Sequence, residues 1–293
     1  MLAVVLALLS AALFGAMTVA LRYGFQEGRA PDAELGAFVC TAAAAFIAAV
    51  AAAVDWEGTQ LTLRDAAFFA LAGLIAPGAS QLFFTRAVRD AGPSRTSVVV
   101  GTAPLFAAAM AIAFLDEPIE GPLVIGGLLV VGAGLLLVSE PTRPEHVRLS
   151  GIAIAFAATL LFTSRDNLVR WYSGETSSGS VKGAAVAMAA GALGTLVFLA
   201  ARRGRRLGAD ARRIAWGPFA VAGVFFGLSY VCLFAAYYRA RVTVVSPLVA
   251  TESLWGVTLS VLLFKRAEVV GARLAGAAIL VVARHPDLRF PLG

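Results

Sequence analysis

The sequence has little charge and very few of the side chains that carry metal or redox chemistry. Charged residues make up 14% of the 293 positions, and there are only 2 histidines and 2 cysteines. Soluble domains have roughly 25% charged residues. Cys40 and Cys232 lie inside apolar runs without metal-ligand spacing, and His146 and His285 lie in polar connectors where a solvated histidine is the usual state. The sequence therefore predicts no metal or cofactor.

Motifs for nucleotide binding and hydrolysis are also missing. There is no GxxxxGK[ST] loop, and Lys182 and Lys265 lie in no such setting. HExxH and GxSxG are absent as well. Direct ATP hydrolysis and the usual membrane-hydrolase reactions therefore have no residues to perform them, and we expect that the protein is not an enzyme.

Long apolar runs are what the sequence has in abundance. Hydrophobic residues make up 59% of the chain, and the mean hydropathy is +0.83. Crossing roughly 30 Å of hydrocarbon takes about twenty helical residues. Runs of this length predict about ten transmembrane helices, over 2–21, 33–54, 66–85, 94–115, 121–139, 149–169, 181–201, 214–238, 242–264 and 267–283.

The positive charge of the chain indicates membrane interfaces. The net charge is +6, but arginine and lysine lie almost entirely between the apolar runs, and no basic patch alternates with aromatic residues. We therefore expect a lipid bilayer and a small-molecule substrate as partners, and no nucleic acid. The basic loop 202–213 gives one side of the membrane about twice the positive charge of the other, which places the termini outside the cytoplasm.

The chain also matches itself weakly at an offset of about 148 residues. At this offset Phe14 meets Phe162 and Arg22 meets Arg170. The match predicts two five-helix units, residues 1–144 and 145–293. An odd number of helices inverts the second unit in the membrane, so we expect an all-α integral membrane fold with two inverted five-helix repeats around a central cavity. Secondary transporters that work by alternating access have this architecture.

Proline and glycine interrupt several of the predicted spans. Pro77-Gly78, Pro104 and Pro247 predict bends, because proline removes a backbone donor. Gly223 and Gly227 form a small-xxx-small pair that predicts a close contact between two helices.

Glu252 is a candidate for coupling because it lies near the middle of the ninth predicted span. A central acidic residue costs roughly 2.5–3.5 kcal/mol or more and usually faces a cavity or carries a proton. We predict Glu252 as the protonation or cation site; the alternative is a protonated glutamate bonded to a neighbouring helix. Trp255, three residues further on the same face, would either stack on substrate or pack against lipid.

Arg165, Asp166 and Asn167 form a polar cluster near the end of the sixth predicted span. Arg165 would either extend to the membrane interface and pair there with Asp166, or line the cavity. In the cavity, Arg165 could hold a carboxylate and Asp166 an ammonium group. This second arrangement predicts a zwitterionic substrate.

Four further residues are predicted to contribute to the substrate site. Gln81 and Ser229 meet at the repeat offset, as a site on the pseudo-twofold axis requires, and Tyr230 follows Ser229. Taken singly, each is equally explained by a hydrogen bond between helices. Thr18 lies in the first span, where a threonine also bonds its own helix backbone.

Residues 94–138 resemble the EamA-type repeat of the drug/metabolite transporter superfamily. Its pattern is matched by Ala87 ahead of a short polar turn, Thr102-Ala103-Pro104-Leu105-Phe106, Phe114-Leu115-Asp116-Glu117, Gly126-Gly127 and Gly132. The second half resembles it less closely, with Ser246-Pro247-Leu248, Ala267-Glu268 and Gly276. Glu252 stands where Pro104 would be matched, and Glu268 is displaced from the position of Glu117.

The resemblance implies ten helices around a central cavity and ATP-independent export or exchange of small metabolites such as amino acids. It also implies a multi-pass protein of the cell membrane, expected to be the bacterial (inner) or archaeal plasma membrane. A polytopic membrane enzyme or a lipid-binding protein that uses the same cavity is the alternative, and a channel is a third.

Overall fold

A computed structural model describes residues 1–27, 32–54, 60–115 and 149–263, and within these ranges all regular structure is helical. Eight described stretches are long and apolar enough to cross a membrane: Leu2–Gln26, Ala33–Val54, Leu63–Ala91, Pro93–Phe114, Leu149–Tyr172, Ser180–Ala211, Trp216–Arg239 and Val242–Ser260. They match the first four predicted spans and the sixth to ninth. The predicted spans 121–139 and 267–283, with Glu117 and Glu268, lie outside the described residues.

These stretches contain the α-helices α1 Leu2–Glu27, α2 Ala33–Val54, α3 Leu63–Gly73, α4 Ser80–Ala91, α5 Pro93–Val100, α6 Ala103–Leu115, α7 Leu149–Tyr172, α8 Ser180–Arg203, α9 Leu207–Ala211, α10 Trp216–Arg239, α11 Val242–Val249 and α12 Glu252–Leu263. A π-helical segment, Leu74–Ala79, joins α3 to α4, and a 3₁₀ turn, Gly204–Arg206, joins α8 to α9. Several helices are longer than the predicted spans, because hydropathy marks only the part that lies in hydrocarbon.

Polar residues in the connectors explain where several helices begin. Thr62 and Asp65 form a reciprocal capping box at the start of α3, with bonds of 3.2 and 3.0 Å between each side chain and the other's backbone N–H. Asp32 accepts two backbone N–H bonds, at 3.0 and 3.1 Å, at the start of α2. Between α4 and α5, Gly92 adopts a φ of 83° and Pro93 occupies the first position of α5.

The third span is interrupted near its middle. Ala76, with φ −147° and ψ 119°, leaves the helical conformation directly before Pro77. Proline cannot donate to the helix, and its ring disfavours a helical conformation in the preceding residue. The bend predicted at Pro77-Gly78 is thereby confirmed.

The fourth and ninth spans are interrupted at Gly101-Thr102 and at Ala250-Thr251, positions that lie 149 residues apart. Before the first break, the Gly101 N–H bonds the carbonyl of Ser97 at 2.8 Å and the Thr102 hydroxyl bonds that of Val99 at 2.6 Å. The second break repeats these bonds at 3.0 and 2.7 Å, from Ala250 to Ser246 and from Thr251 to Leu248. The two broken spans cross, with α5 against α12 and α11 against α6.

Four phenylalanines from different helices meet in the interior. The ring of Phe14 in α1 lies 5.1 Å from Phe84 in α4, 5.8 Å from Phe162 in α7 and 6.0 Å from Phe226 in α10, all edge to face. Such aromatic pairs contribute about 0.5–1.5 kcal/mol beyond their burial. Phe14 and Phe162, the pair aligned by the sequence offset, are therefore in direct contact.

Close helix contacts depend on glycine. A Cβ at Gly227 would lie 2.7 Å from the carbonyl oxygen of Ala44, and one at Gly223 would lie 2.5 Å from Ala43 Cβ. The predicted contact of Gly223 and Gly227 is confirmed, and α2 is the partner of α10 at this contact. Between α3 and α8, a Cβ at Gly73 would lie 2.6 Å from the Cα of Ala187.

Gly73→Ala is expected to lower the thermal unfolding temperature of the purified protein in detergent. The added methyl group would overlap backbone atoms that cannot rotate away, and overpacking of this kind costs about 1–3 kcal/mol or more. Gly217→Ala is the matched control, because a Cβ there has nothing within 4 Å. An unfolding temperature unchanged by Gly73→Ala would contradict the contact between α3 and α8.

Candidate functional site

Arg165 and Asp166 form an ion pair inside the protein. Arg165 is 2% and Asp166 7% exposed, and Nε lies 2.8 Å from Oδ1. Both residues continue the buried face of α7, which otherwise carries small or apolar residues at helical spacing, such as Ala155, Ala158, Phe162 and Val169. The structure therefore contradicts the predicted alternative in which Arg165 extends to the membrane interface.

Helix α10 supplies an aromatic wall beside this pair. The guanidinium carbon of Arg165 lies 4.3 Å above the ring of Tyr230 and 5.8 Å from that of Phe234. The two rings stack with centroids 5.3 Å apart. A cation over an aromatic face gains about 2 kcal/mol when both are desolvated, so the wall helps to keep a charged group inside the protein.

Glu252 brings a third ionisable group to the cluster. It is 4% exposed and begins α12 directly after the break in the ninth span, where the positive end of the helix dipole favours a carboxylate. It lies within electrostatic reach of both Asp166 and Arg165. One basic and two acidic side chains therefore share one buried region, and a proton or a substrate cation would balance the charge.

Tyr237 belongs to the same cluster, although the sequence interpretation missed it. It is 1% exposed and lies within electrostatic reach of Asp166, Arg165 and Glu252. The missed signal is its spacing, because Tyr230, Phe234 and Tyr237 recur at i, i+4 and i+7 and so share one face of α10.

Some polar atoms of the cluster remain available to a ligand. Within the described residues, Arg165 Nη1 and Asn167 Oδ1 have no hydrogen-bond partner. Asn167 Nδ2 donates to the carbonyl of Thr163 at 3.0 Å and to that of Ala107 at 3.3 Å. Because buried polar atoms are normally hydrogen-bonded, the free donor and acceptor are positions where substrate or water can bind.

The break in the third span is also hydrogen-bonded to the cluster. The Tyr230 hydroxyl donates to the carbonyl oxygen of Ala76 at 2.6 Å. The residue before the proline thus provides an acceptor that an unbroken helix would have used internally. Tyr230 thereby links Arg165 to an interrupted membrane helix.

The other predicted site residues lie in different surroundings. Gln81 is fully buried, with Nε2 3.6 Å from Cys40 Sγ and no partner for Oε1 within the described part of the chain. Ser229 exchanges hydrogen bonds of 2.9–3.0 Å with Ser10 and so joins α10 to α1. Thr18 bonds the carbonyl of Phe14 in its own helix at 3.0 Å.

Trp255 differs from Glu252 in burial, although both belong to α12. Trp255 is 45% exposed, whereas Glu252 is 4% exposed. Its Cβ lies against α1, only 2.6 Å from where a Cβ of Gly15 would be. The structure therefore brings together Arg165, Asp166, Tyr230 and Glu252, with Asn167 adjacent on α7, and it gives Trp255 a half-exposed position.

Comparisons with known proteins agree with this architecture. Residues 1–139 match the EamA-like transporter family. A solved crystal structure with 17% sequence identity is similar over 96% of this chain and 94% of that chain, with a TM-score of 0.65. At this identity the likeness shows the fold alone. No curated protein sequence matches the chain.

Proposed function

We propose that the protein, whose residues 1–139 match the EamA-like transporter family of the drug/metabolite transporter superfamily, exports or exchanges small zwitterionic metabolites such as amino acids. The family consists of membrane transporters of small molecules, and the eight apolar spans among the described residues agree with a multi-pass membrane protein. The proposed mode is secondary transport by alternating access across a bacterial or archaeal plasma membrane.

The observation that carries the zwitterion proposal is the buried ion pair of Arg165 and Asp166 beside an aromatic wall. The free Nη1 of Arg165 would hold the substrate carboxylate, and Asp166 with Asn167 Oδ1 would hold the ammonium group. Tyr230 and Phe234 would contact the apolar part of the substrate. A ligand with both charges replaces the internal ion pair without leaving a buried charge unpaired.

The two broken spans support the proposed inverted repeat of residues 1–144 and 145–293. Their breaks repeat the same hydrogen bonds 149 residues apart, and each half of one span packs against the opposite half of the other. The contact between Phe14 and Phe162 is what a pseudo-twofold axis between the units would produce. Interrupted helices near the membrane midplane are typical of transporters with inverted repeats.

The proposed coupling group is Glu252. It lies at the break of the ninth span, so protonation would change the charge next to an interruption of that membrane helix. The remaining predicted site residues, Gln81, Ser229, Thr18 and Trp255, would act at the edge of the acidic region around Asp166.

The orientation proposed from charge places the end of α8 in the cytoplasm. Arginines at the ends of α4 and α8 lie on one side of the membrane, together with the basic loop 202–213. The positive-inside rule then puts the N-terminus on the opposite side.

A substrate series tests the zwitterion proposal directly. Purified protein in liposomes is loaded with one labelled amino acid at a time, and exchange against external compounds is measured. For any amino acid that exchanges, its methyl ester and its deaminated acid should compete at least about tenfold more weakly, since each loses a charge-assisted hydrogen bond of about 1.5–3 kcal/mol. Equal competition by either analogue would contradict the proposal. Product formation or lipid binding without solute movement would favour the alternative of a membrane enzyme or a lipid-binding protein.

A further inference from the structure

A charged cavity lies at one end of the helix bundle, and none of the residues that line it belongs to the buried cluster of Arg165, Asp166 and Glu252. It has a volume of about 680 Å³ and lies between the start of α2, the last turns of α4 and the end of α8 with the following turns. Five arginines and three carboxylates line it. This is a volume in which a small anionic group fits together with several water molecules.

All three carboxylates of this cavity are already bound by two of its arginines. Arg203 lies 2.9 Å from both Asp32 and Glu34 and 3.4 Å from Asp210, and Arg202 lies 2.9 Å from Glu34. Burial alone would raise the pKa of Asp32, but the hydrogen bonds from Arg203 and from the α2 backbone hold that pKa below its usual value. Arg202 and Arg203 are therefore engaged by these three carboxylates and are not free to bind an added anion.

Two of the remaining arginines have no acidic partner within the described residues. Arg89 bonds Asp90 at 2.7 Å, whereas Arg86 and Arg206 make no ion pair in the described ranges. Arg86 comes from α4 and Arg206 from the turn after α8, so they approach the cavity from different elements. Among the described residues, the five guanidinium groups face the three lining carboxylates and Asp90, so the cavity has a surplus of one positive charge. The guanidinium fork matches the oxygens of a phosphate group.

Aromatic residues place this end of the bundle at the membrane interface. Tyr23 near the end of α1 is 48% exposed, and Trp216 at the start of α10 is 49% exposed and donates from Nε1 to the carbonyl of Ala211 at 2.7 Å. Tyrosine and tryptophan concentrate at the level of lipid headgroups. The free arginines therefore lie at the depth where phosphate groups are most abundant.

We propose that this cavity is a phosphate-binding site in which Arg86 and Arg206 hold a phosphate group, presented by an anionic lipid headgroup or by a soluble phosphate compound. The bound phosphate would bridge α4, at the end of the third span, and the turn that follows the seventh. The site is independent of the transport site, because it uses neither Arg165 nor Glu252.

The test uses the full chain purified in an uncharged detergent. Short-chain phosphatidylglycerol, diacylglycerol and inorganic phosphate are titrated separately, at constant ionic strength set with chloride, and binding is read as the shift in unfolding temperature. Arg86→Gln/Arg206→Gln is compared with Arg205→Gln/Arg212→Gln. The control pair removes two exposed arginines of the same basic region that do not line the cavity, so both variants have the same net charge.

Phosphatidylglycerol or inorganic phosphate should stabilise the wild-type protein and the control pair, and diacylglycerol should not. In Arg86→Gln/Arg206→Gln the apparent affinity should fall at least about tenfold, because charge-assisted hydrogen bonds of about 1.5–3 kcal/mol each are lost. Stabilisation by phosphatidylglycerol alone identifies a lipid headgroup, and equal stabilisation by inorganic phosphate identifies a soluble ligand.

Two results would overturn the proposal. One is that neither phosphate probe stabilises the wild-type protein more than chloride does. This measurement does not depend on the folding of any variant. The other is an equal loss of affinity in the control pair, which would show only a general attraction to the basic surface.

Discussion

Arg165→Gln is expected to abolish substrate exchange in proteoliposomes and to reduce the thermal stability of the protein. The guanidinium pairs with Asp166 at 2.8 Å inside the bundle and lies 4.3 Å over Tyr230. Removing one member of a buried pair leaves an uncompensated charge and costs about 3–5 kcal/mol. It also removes the proposed donor to the substrate carboxylate, which weakens binding roughly tenfold to a hundredfold, and it leaves Asp166 unpaired in the site, so no exchange should be measurable.

The double variant Arg165→Gln/Asp166→Asn separates the two effects. Without either charge the penalty for an unpaired group disappears, and much of the lost stability should return. Exchange should remain absent, because neither end of the zwitterion has its partner. Arg170→Gln is the control on the same helix, since Arg170 reaches α10 but bonds the backbone carbonyl of Tyr237 at 3.0 Å. Exchange restored by the double variant would show that the pair only stabilises the fold.

The membrane spans could be predicted from the sequence because the bilayer sets one requirement, a long apolar helix. The ends of those helices could not be predicted from the hydropathy of the sequence. The first span was predicted to end at Leu21, but α1 continues to Glu27, and α3 begins at Leu63 because of the capping box of Thr62. Helix ends depend on local capping in water and headgroups, which a hydropathy pattern does not detect.

Part of the candidate site could be predicted because a charge in the middle of an apolar run is costly wherever it points. This reason applies to Glu252, whereas for Arg165 and Asp166, near the end of their span, the sequence leaves the membrane interface and the cavity equally open. All three residues lie in one region. Ser229 illustrates the limit: its partner is Ser10, 219 positions away, and the repeat offset does not relate the two residues. Tyr237 was missed because a tyrosine among aromatic residues resembles ordinary core until its neighbours in space are known.

The break in the fourth and ninth spans was only partly predictable. Pro104 and Pro247 indicated bends, but the helices break at Gly101-Thr102 and at Ala250-Thr251, where threonine hydroxyls bond preceding carbonyls. Proline is tolerated in the first turn of a helix, which is where Pro104 lies in α6. The location of the breaks therefore depends on side-chain bonds to the backbone as much as on proline.

Glu252→Gln is expected to remove the dependence of accumulation on a pH gradient while leaving exchange intact. If one proton accompanies each substrate molecule, a gradient of one pH unit drives about tenfold accumulation of substrate, since one unit corresponds to 1.36 kcal/mol. Glutamine keeps the size and hydrogen-bonding groups of the side chain but cannot take up a proton. The glutamine side chain next to Asp166 is therefore always neutral, like a glutamate that stays protonated. The gradient should then drive no accumulation, and the inside and outside concentrations should become equal.

Exchange of labelled for unlabelled substrate without a gradient is the internal control of this experiment, because it requires binding and alternating access but no net proton movement. Glu175→Gln, in an exposed connector, removes one carboxylate elsewhere and should accumulate substrate like the wild-type protein. Accumulation by Glu252→Gln with an unchanged pH dependence would exclude Glu252 as the coupling group. Loss of both exchange and accumulation would instead show that Glu252 binds the substrate together with Arg165 and Asp166.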